Sequence, residues 1–367
     1  MKLTIARDDL LPALQTVGSV VERRQSLPIL SNFLFQAGPN GIQLTATDME
    51  VEISTKISKS LKGAIETTLS ARKLLDICRA LPEQAILSME FDGDRVNLTS
   101  GKSRFVLATL SPREYPLIEM ADSSGEFQIN QMELKTLLER TAFAMAIQDV
   151  RYYLNGLLLE CSKGVLRAVA TDGHRLALCE IEIKAGIQSA QQIIIPRKGV
   201  LELIRLLGAG EEPAAICLSR NHIRVDLGDL RFTSKLIDGK FPEYEKVIPV
   251  EGKAPILADR EQLRQGLIRA SILSNEKYRG VRVSLAKNRL RALAHNPEQE
   301  EAEEEIEIAY QGEELEIGFN VSYLLDALAI IRTERVRITM TDPSVSALLL
   351  PYDAATRCKY VVMPMRL

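Results

Sequence analysis

A single pattern written three times limits what this chain can fold into. Residues 42–48 alternate apolar and polar side chains and end in Ala46-Thr47-Asp48, and residues 165–172 do the same and end in Ala170-Thr171-Asp172. Residues 290–296 form a degenerate third copy that ends in Ala294-His295-Asn296. Asp48, Asp172 and Asn296 are spaced by 124 residues both times. A second anchor keeps the period: Lys73, Lys198 and Ser322, each at the start of a helical pattern, lie 125 and then 124 residues apart. The third anchor is a short strand before an amphipathic helix. It appears as Leu3-Thr4-Ile5 before Leu10, Leu14 and Val17, as Phe127-Gln128-Ile129 before Leu134, Leu137 and Leu138, and as Ile256-Leu257 before Leu263 and Leu267. Spacings of three and four residues put each apolar set on one helical face. A fixed period across the whole length signals tandem copies of one supersecondary unit.

Each copy combines two helices with several strands of period two, such as residues 104–110 and 231–236. The expected fold class is therefore α+β, three tandem copies of a two-helix, antiparallel-sheet domain. Polar, proline-bearing breaks at 116–125 and 249–255 place the domains at 1–120, 125–249 and 253–367. With 46% hydrophobic and 26% charged residues, disordered, collagen-like and coiled-coil classes are excluded. No apolar run approaches the ~18 residues that span a bilayer, and Asp8-Asp9 interrupts any signal-peptide core. The expectation is a soluble cytoplasmic protein with no membrane partner. Five cysteines, odd in number, scattered and flanked by apolar residues, are expected as buried reduced thiols, not disulfides or metal ligands.

The formal charge of −3 conceals segregation. The predicted helical windows 7–24, 71–82, 133–151, 196–207, 259–282 and 320–337 together carry +8, while residues 298–316 hold ten Glu and no Lys or Arg. One basic helix face is ordinarily just a solvated face. A surplus summed over six helices at equivalent repeat positions points to a shared anionic partner, and DNA phosphate is the natural one. No zinc-finger spacing, basic zipper or helix-turn-helix is present, so contact falls on the backbone and not on base edges. In the acidic run, Ile306 and Ile308 alternate with Glu305 and Glu307, as in an edge strand with a charged outer side. The first unit offers a basic counterpart in Lys73, Arg95, Lys102 and Arg104. Head-to-tail pairing of unit three with unit one of another chain follows, and such contacts close rings when the rotation fits.

No catalytic or metal constellation is expected: the three histidines are scattered, and Walker, G-x-G-x-x-G and G-x-S-x-G motifs are missing. Thr171-Asp172-Gly173-His174-Arg175 suggests an acid–base site, but the equivalent Thr47-Asp48 and His295-Asn296 lack a matching His or Arg. A turn in which Asp172 bonds its own backbone is the expected role. An enzyme centred on Asp172, His174 and Arg175, and a sequence-specific DNA binder, stand as alternatives. Residues 363–367 are too apolar for an idle terminus, and their methionines suit a surface that accepts several partners.

Long collinear stretches over essentially the whole chain resemble the bacterial sliding clamps, the beta subunits of DNA polymerase III. They include residues 148–156 (Gln148 to Gly156), 170–177, 196–200, 232–236, 272–277, 296–304 and 360–367. The resemblance implies a head-to-tail homodimer forming a ring, threaded by double-stranded DNA without sequence preference. It also implies no catalysis and no cofactor, and partnership with the polymerase III catalytic subunit, the clamp loader and other proteins carrying clamp-binding motifs. It assigns DNA contacts to Arg24, Arg72, Gln148, Tyr152, Tyr153 and Lys198. A groove for short linear motifs would comprise Leu154, Thr171, Gly173, His174, Arg175, Leu176, Pro242, Lys246, Val247, Val345, Val361, Met363, Pro364 and Met365. Lys246 stands where the family often carries Arg, which keeps charge but loses bidentate geometry. The dimer contact would pair Phe105 and Leu107 with Ile272 and Leu273, rimmed by Lys73, Arg95, Lys102 and Arg104 against Glu300, Glu301, Glu303 and Glu304.

Overall fold

The computed structural model describes residues 1–22, 27–120, 123, 125–183, 191–252, 254–352 and 357–366, and in them one order of elements occurs three times. The first repeat runs β1 (Lys2–Ala6), α1 (Arg7–Gly18), β2 (Asn32–Gly38), β3 (Gly41–Thr47), β4 (Val51–Ile57), β5 (Ile65–Ser70), α2 (Ala71–Ala80), β6 (Ile86–Asp92), β7 (Arg95–Ser100) and β8 (Ser103–Ala108). The second runs β9 (Gly125–Asn130), α3 (Gln131–Ala142), β10 (Gly156–Ser162), β11 (Val165–Thr171), β12 (Arg175–Glu182), β13 (Gln191–Pro196), α4 (Arg197–Leu206), β14 (Pro213–Leu218), β15 (His222–Leu227) and β16 (Leu230–Lys235). The third runs β17 (Ile256–Asp259), α5 (Arg260–Ser271), β18 (Gly280–Ala286), β19 (Arg289–His295), β20 (Glu301–Glu307), β21 (Leu315–Asn320), α6 (Val321–Ile330), β22 (Arg335–Thr339), β23 (Ala347–Pro351) and β24 (Arg357–Val362).

The helices follow the apolar spacing. Leu10, Leu14 and Val17 of α1 are fully buried, and α1 packs on β3 and β4 and against α2. Each such Leu withdrawn from water stabilises the fold by roughly 2 kcal/mol. Asp259 caps α5 by accepting from the Gln262 N–H at 2.8 Å, and Asn320 caps α6 through Ser322 at 2.9 Å. The helices are shorter than the predicted windows. After Ser271 the hydroxyls of Ser271 and Ser274 bond to the carbonyls of Ile268 and Ser271, competing with further helical hydrogen bonds. The six helices proper therefore carry a surplus of only four positive charges. The rest of the expected +8 lies on flanking turns and strands.

The chain divides into two units, residues 1–135 with 198–236 and residues 136–197 with 237–367. The first holds an eight-stranded sheet of order β5-β2-β3-β4-β16-β15-β14-β9 and a four-stranded sheet of order β1-β6-β7-β8. The second holds an eight-stranded sheet of order β13-β10-β11-β12-β24-β23-β22-β17 and a four-stranded sheet of order β20-β19-β18-β21. Each eight-stranded sheet joins the first half of one repeat to the second half of the next. The joining pairs are antiparallel, β4 with β16 (Val51 opposite Ser234) and β12 with β24 (Arg175 opposite Val362). The two four-stranded sheets are the halves left over, and they end on β8 and on β20, the acidic strand foreseen as an edge.

The cysteines require a correction. Cys78, Cys161 and Cys217 are free and buried as expected, but Cys179 and Cys358 are joined as a disulfide. They face one another across β12 and β24, with Cα atoms 4.1 Å apart. A sequence separation of 179 residues hides such a pair from any spacing rule.

Candidate partner groove and interfaces

The repeated Thr-Asp segments fold into one kind of turn. Asp48 Oδ1 accepts from the N–H groups of Glu50 and Val51 at 2.9 and 2.7 Å, and Asp172 Oδ1 from those of His174 and Arg175 at 2.9 and 3.0 Å. Asn296 Oδ1 accepts from Glu300 at 2.9 Å. Asp172 is thus the turn-former expected of it. Thr171 Oγ1 accepts from the Gly173 N–H at 3.1 Å and donates to the Arg175 carbonyl at 2.6 Å. Gly173 has φ +89°, and a Cβ there would come within 2.8 Å of the Arg151 guanidinium. The left-handed backbone favours glycine there, and any larger residue would also have to move the Arg151 guanidinium.

Arg175, leaving this turn, is bound on every side. Its Nε donates to Asp172 Oδ2 at 3.0 Å and its Nη2 to the Phe143 carbonyl at 2.9 Å, while its Nη1 pairs with Asp326. The guanidinium carbon lies 4.7 Å from the Tyr323 ring centroid and 5.4 Å from that of Phe143. His174 stacks on Tyr323 with centroids 6.3 Å apart. Asp172 spends its carboxylate on the turn and on Arg175, so the triplet forms a scaffold instead of a proton relay.

Beside this scaffold lies a cavity of about 190 Å³ lined by Arg151, Tyr153, Leu154, Thr171, Gly173, Arg175, Leu176, Pro242, Glu243, Tyr244, Val247, Ser346, Val361 and Met363. Its floor belongs to the core containing Leu176, Tyr244 and Val361. Leu176 and Val361 sit opposite each other across β12 and β24. One wall is a turn of 3-10 helix, Tyr244–Val247. That turn is fixed from beneath: the Tyr244 hydroxyl donates to Glu160 Oε2 at 2.7 Å and accepts from Arg167 Nη1 at 2.8 Å. Burial, with the hydrogen bond to Glu160, pushes the Tyr244 hydroxyl up to about 12. At the mouth, hydrogen bonds from Arg151 hold the Asp149 carboxyl down to about 2.

Nine of the fourteen sequence-predicted groove residues line this cavity: Leu154, Thr171, Gly173, Arg175, Leu176, Pro242, Val247, Val361 and Met363. The other five lie outside it. His174 stacks on Tyr323, and its carbonyl accepts from the Met363 N–H at 2.9 Å. The Met365 N–H donates to the Gly318 carbonyl at 2.8 Å, which holds the tail with Pro364 along β21. Val345 precedes the lining Ser346 and is 37% exposed. Lys246 has 77% of its side chain exposed and pairs with Glu243 one turn earlier. Sequence reasoning missed Arg151, Glu243, Tyr244 and Ser346, and assigned the lining Tyr153 to DNA. Glu243 and Tyr244 carried a signal, standing between Pro242 and Val247, as did Ser346 beside Val345 and Arg151 within the stretch 148–156.

The residues assigned to DNA divide differently. Arg72 has 84% of its side chain exposed and only a loose 3.7 Å partner in Asp76. Gln148 is exposed with φ +54°, beside the fully open Val150. Tyr152 is 57% exposed, and its ring stands edge-on to Tyr153 at 5.7 Å. Tyr153 itself packs against the groove's core. Lys198 is not free: it pairs with Glu22 and with the buried Asp48, and although burial opposes its charge, these carboxylates raise its pKa. Arg24 lies outside the described residues.

Along the open strands, alternation sends Arg104 and Val106 of β8 outward, leaves Phe105 half-buried and buries Leu107 at 6% exposure. Leu107 therefore serves its own core, contrary to its assignment as a contact residue. Lys73, Arg95 and Lys102 are exposed. Ile272, at the end of α5, is 71% exposed, and Leu273 is half-buried. Glu300 and Glu301 are exposed, but Glu303 pairs with Arg291 at 2.5 Å and Glu304 with Arg269 at 2.8 Å. Hydrogen bonds from Arg269 lower the Glu304 carboxyl.

Against known proteins, residues 1–119, 128–243 and 245–366 match the families described as the N-terminal, central and C-terminal domains of the DNA polymerase III beta subunit. The chain is 50% identical over 368 residues to the beta sliding clamp of Pseudomonas putida and 46% over 370 residues to that of Escherichia coli K12, covering 100% of each chain in both cases. A sliding clamp of Pseudomonas aeruginosa, solved with a ligand, superposes with a TM-score of 0.97 at 49% identity and 100% coverage of both chains. The Caulobacter crescentus beta sliding clamp follows at 0.95 and 37%, with 100% of this chain and 99% of that one covered.

Proposed function

From a chain that belongs to the bacterial DNA polymerase III beta subunits, the beta sliding clamps, we propose that two copies close head to tail into a ring around duplex DNA. The protein is a processivity factor without catalysis of its own, and its solution to tethering is topological. Each copy contributes three domains, with boundaries near 1–120, 125–249 and 253–367. The proposed ring forms when β20 of one chain pairs with β8 of the next.

The observation that carries this reading is the strand order of the leftover sheets. Set edge to edge, they give β21-β18-β19-β20-β8-β7-β6-β1, the repeat-equivalent of both complete eight-stranded sheets. The edges are complementary in charge, with Arg95, Lys102 and Arg104 on one and Glu300, Glu301 and Glu303 on the other. Ile272 and Val106 supply exposed apolar surface beside them. An exposed, extended edge invites pairing unless like charges oppose it.

DNA would be held loosely by Arg72, Gln148 and Tyr152. Few contacts of this kind suit sliding, because a dense phosphate clamp would bind tightly and with a steep salt dependence. Lys198 enters as a tie between α4 and the β3–β4 turn. The cavity beside Gly173 is read as the dock for an apolar linear motif of a polymerase, clamp loader or repair protein, with Leu176, Val361 and Met363 as floor. A Pseudomonas aeruginosa clamp has been solved with griselimycin bound, so a clamp of this family accepts a ligand. Site of action is the cytoplasm, where the replicated DNA lies; no helix among the described residues is long and apolar enough to cross a membrane.

Protein loaded by a clamp loader onto nicked circular DNA should remain through gel filtration at high salt and be lost when the circle is cut. Retention on the linear product would overturn the encircling mode.

A further inference from the structure

We infer that Cys179 and Cys358 form a redox modification site, a reversible cross-strand disulfide that staples the central repeat to the C-terminal one. The two residues lie directly opposite in the antiparallel register of β12 and β24, flanked by Leu178 opposite Lys359 and Glu180 opposite Arg357. Their Cα atoms are 4.1 Å apart, the close approach of a narrow antiparallel pair. The register itself sets the two side chains face to face, which removes the wide separation that usually forbids a disulfide. Both residues are buried, at 1% and 2% exposure, which keeps proteins and bulky thiols away from the sulfurs. Cys78, Cys161 and Cys217 are also buried and remain free, so burial alone does not produce the bond.

Arg140 of α3 places Nη1 3.9 Å from Cys358 Sγ. A guanidinium there supplies positive charge where a thiolate would form, which makes Cys358 the attacking sulfur. With hydrogen peroxide as the oxidant, the Cys358 thiolate attacks one peroxide oxygen, the O–O bond breaks, and a sulfenic acid forms as the departing oxygen leaves as water. The Cys179 sulfur then attacks the sulfenic sulfur, the S–O bond breaks, and a second water departs with the thiol proton. Two thiols lose two electrons in all, and one peroxide becomes two waters. A small dithiol reverses the bond by exchange.

The location gives the bond its reach. β12 opens at Arg175 and β24 leads into Met363, so the strands that carry the groove are the strands that are joined. The staple adds a covalent bond to the β12–β24 ladder that joins the two repeats.

The test uses the full-length chain, reduced and then exposed to peroxide at stoichiometric excess. Free thiols are counted by alkylation in denaturant, and the linked peptides are identified by mass. Reduced protein should take five labels, one per cysteine. Oxidised protein should take three, with residues 179 and 358 linked and all five sites recovered after dithiothreitol. Cys358→Ala should take four labels before and after peroxide, and Cys179→Ala four before and three after, its Cys358 halted at a sulfenic acid that dithiothreitol reverses; circular dichroism confirms that they fold. Five labels on oxidised wild type, a link between other cysteines, or oxygen adducts that dithiothreitol does not remove would each overturn the proposal.

Discussion

Arg151 shows how much one side chain can decide at a groove. It brackets Asp149, reaches the Asp172 carbonyl at 3.0 Å, and fills the space over Gly173. Because the Asp149 pKa is depressed to about 2, its stabilising effect is present above the ordinary value of about 3.9 and lost only as pH falls through the lower one. A side-chain NMR titration should find the Asp149 midpoint near 2, and Arg151→Ala should raise it part of the way back toward the free value, because the residue-151 backbone N–H still donates to the carboxylate. In the groove, Val361→Ala or Leu176→Ala should weaken an apolar motif peptide about tenfold, the loss of a buried anchor. Lys246→Ala should change it less than about twofold, since that side chain is exposed and paired at the rim. Calorimetry separates these outcomes, and equal losses at all three positions would contradict the geometry. The sequence made the Thr171–Leu176 run and Val361 legible because they sit within recognisable stretches. Arg151 and Ser346 come to the cavity from other loops, and although the stretch 148–156 and the neighbouring Val345 were marked, nothing in the sequence says that these two side chains line it.

At the level of elements, period carried the reading well and boundaries carried it poorly. Strand alternation found β8, β16 and the acidic β20, because each half-buried strand must alternate. Helical spacing found the core faces of α1, α3 and α5 for the same reason. Their ends were misplaced because apolar residues continue past Gly18 and Ser271, where hydroxyl-bearing turns take over the backbone hydrogen bonds. The charge argument weakened with them: Lys198, Arg269 and Arg291 each have carboxylate partners within their own unit. Leu14→Ala, which empties a fully buried site on α1, should lower stability by about 3 kcal/mol in urea unfolding. A loss below about 1 kcal/mol would show that the surroundings collapse into the gap.

For the whole molecule, the threefold period was the most legible property of all, yet the way the repeats share their sheets was not. No local signal says that β4 pairs with β16 or β12 with β24, because both partnerships span more than a hundred residues. The cysteine pair failed for that reason too. If the leftover sheets complete one another between chains, Ile272→Asp should yield monomers in sedimentation velocity, since it sets a charge on the most exposed apolar contact. Arg104→Glu should weaken the dimer at low salt and much less at high salt, where surface charge is screened. An unchanged dimer in both would remove the proposed edge pairing.

The shared sheets also say where a closed ring could part. Within each chain the two joints between repeats lie in continuous polypeptide, so pulling them open would tear a folded chain. The proposed joints between chains would have no such tether and would consist of one short strand facing another. In the proposed ring such a joint would work as a clasp: it could be unzipped from one end, a few hydrogen bonds at a time, while its twin stays shut and serves as the pivot. A loader then need not dissociate the dimer at all. It has only to hold one pair of strands apart for as long as a duplex takes to pass.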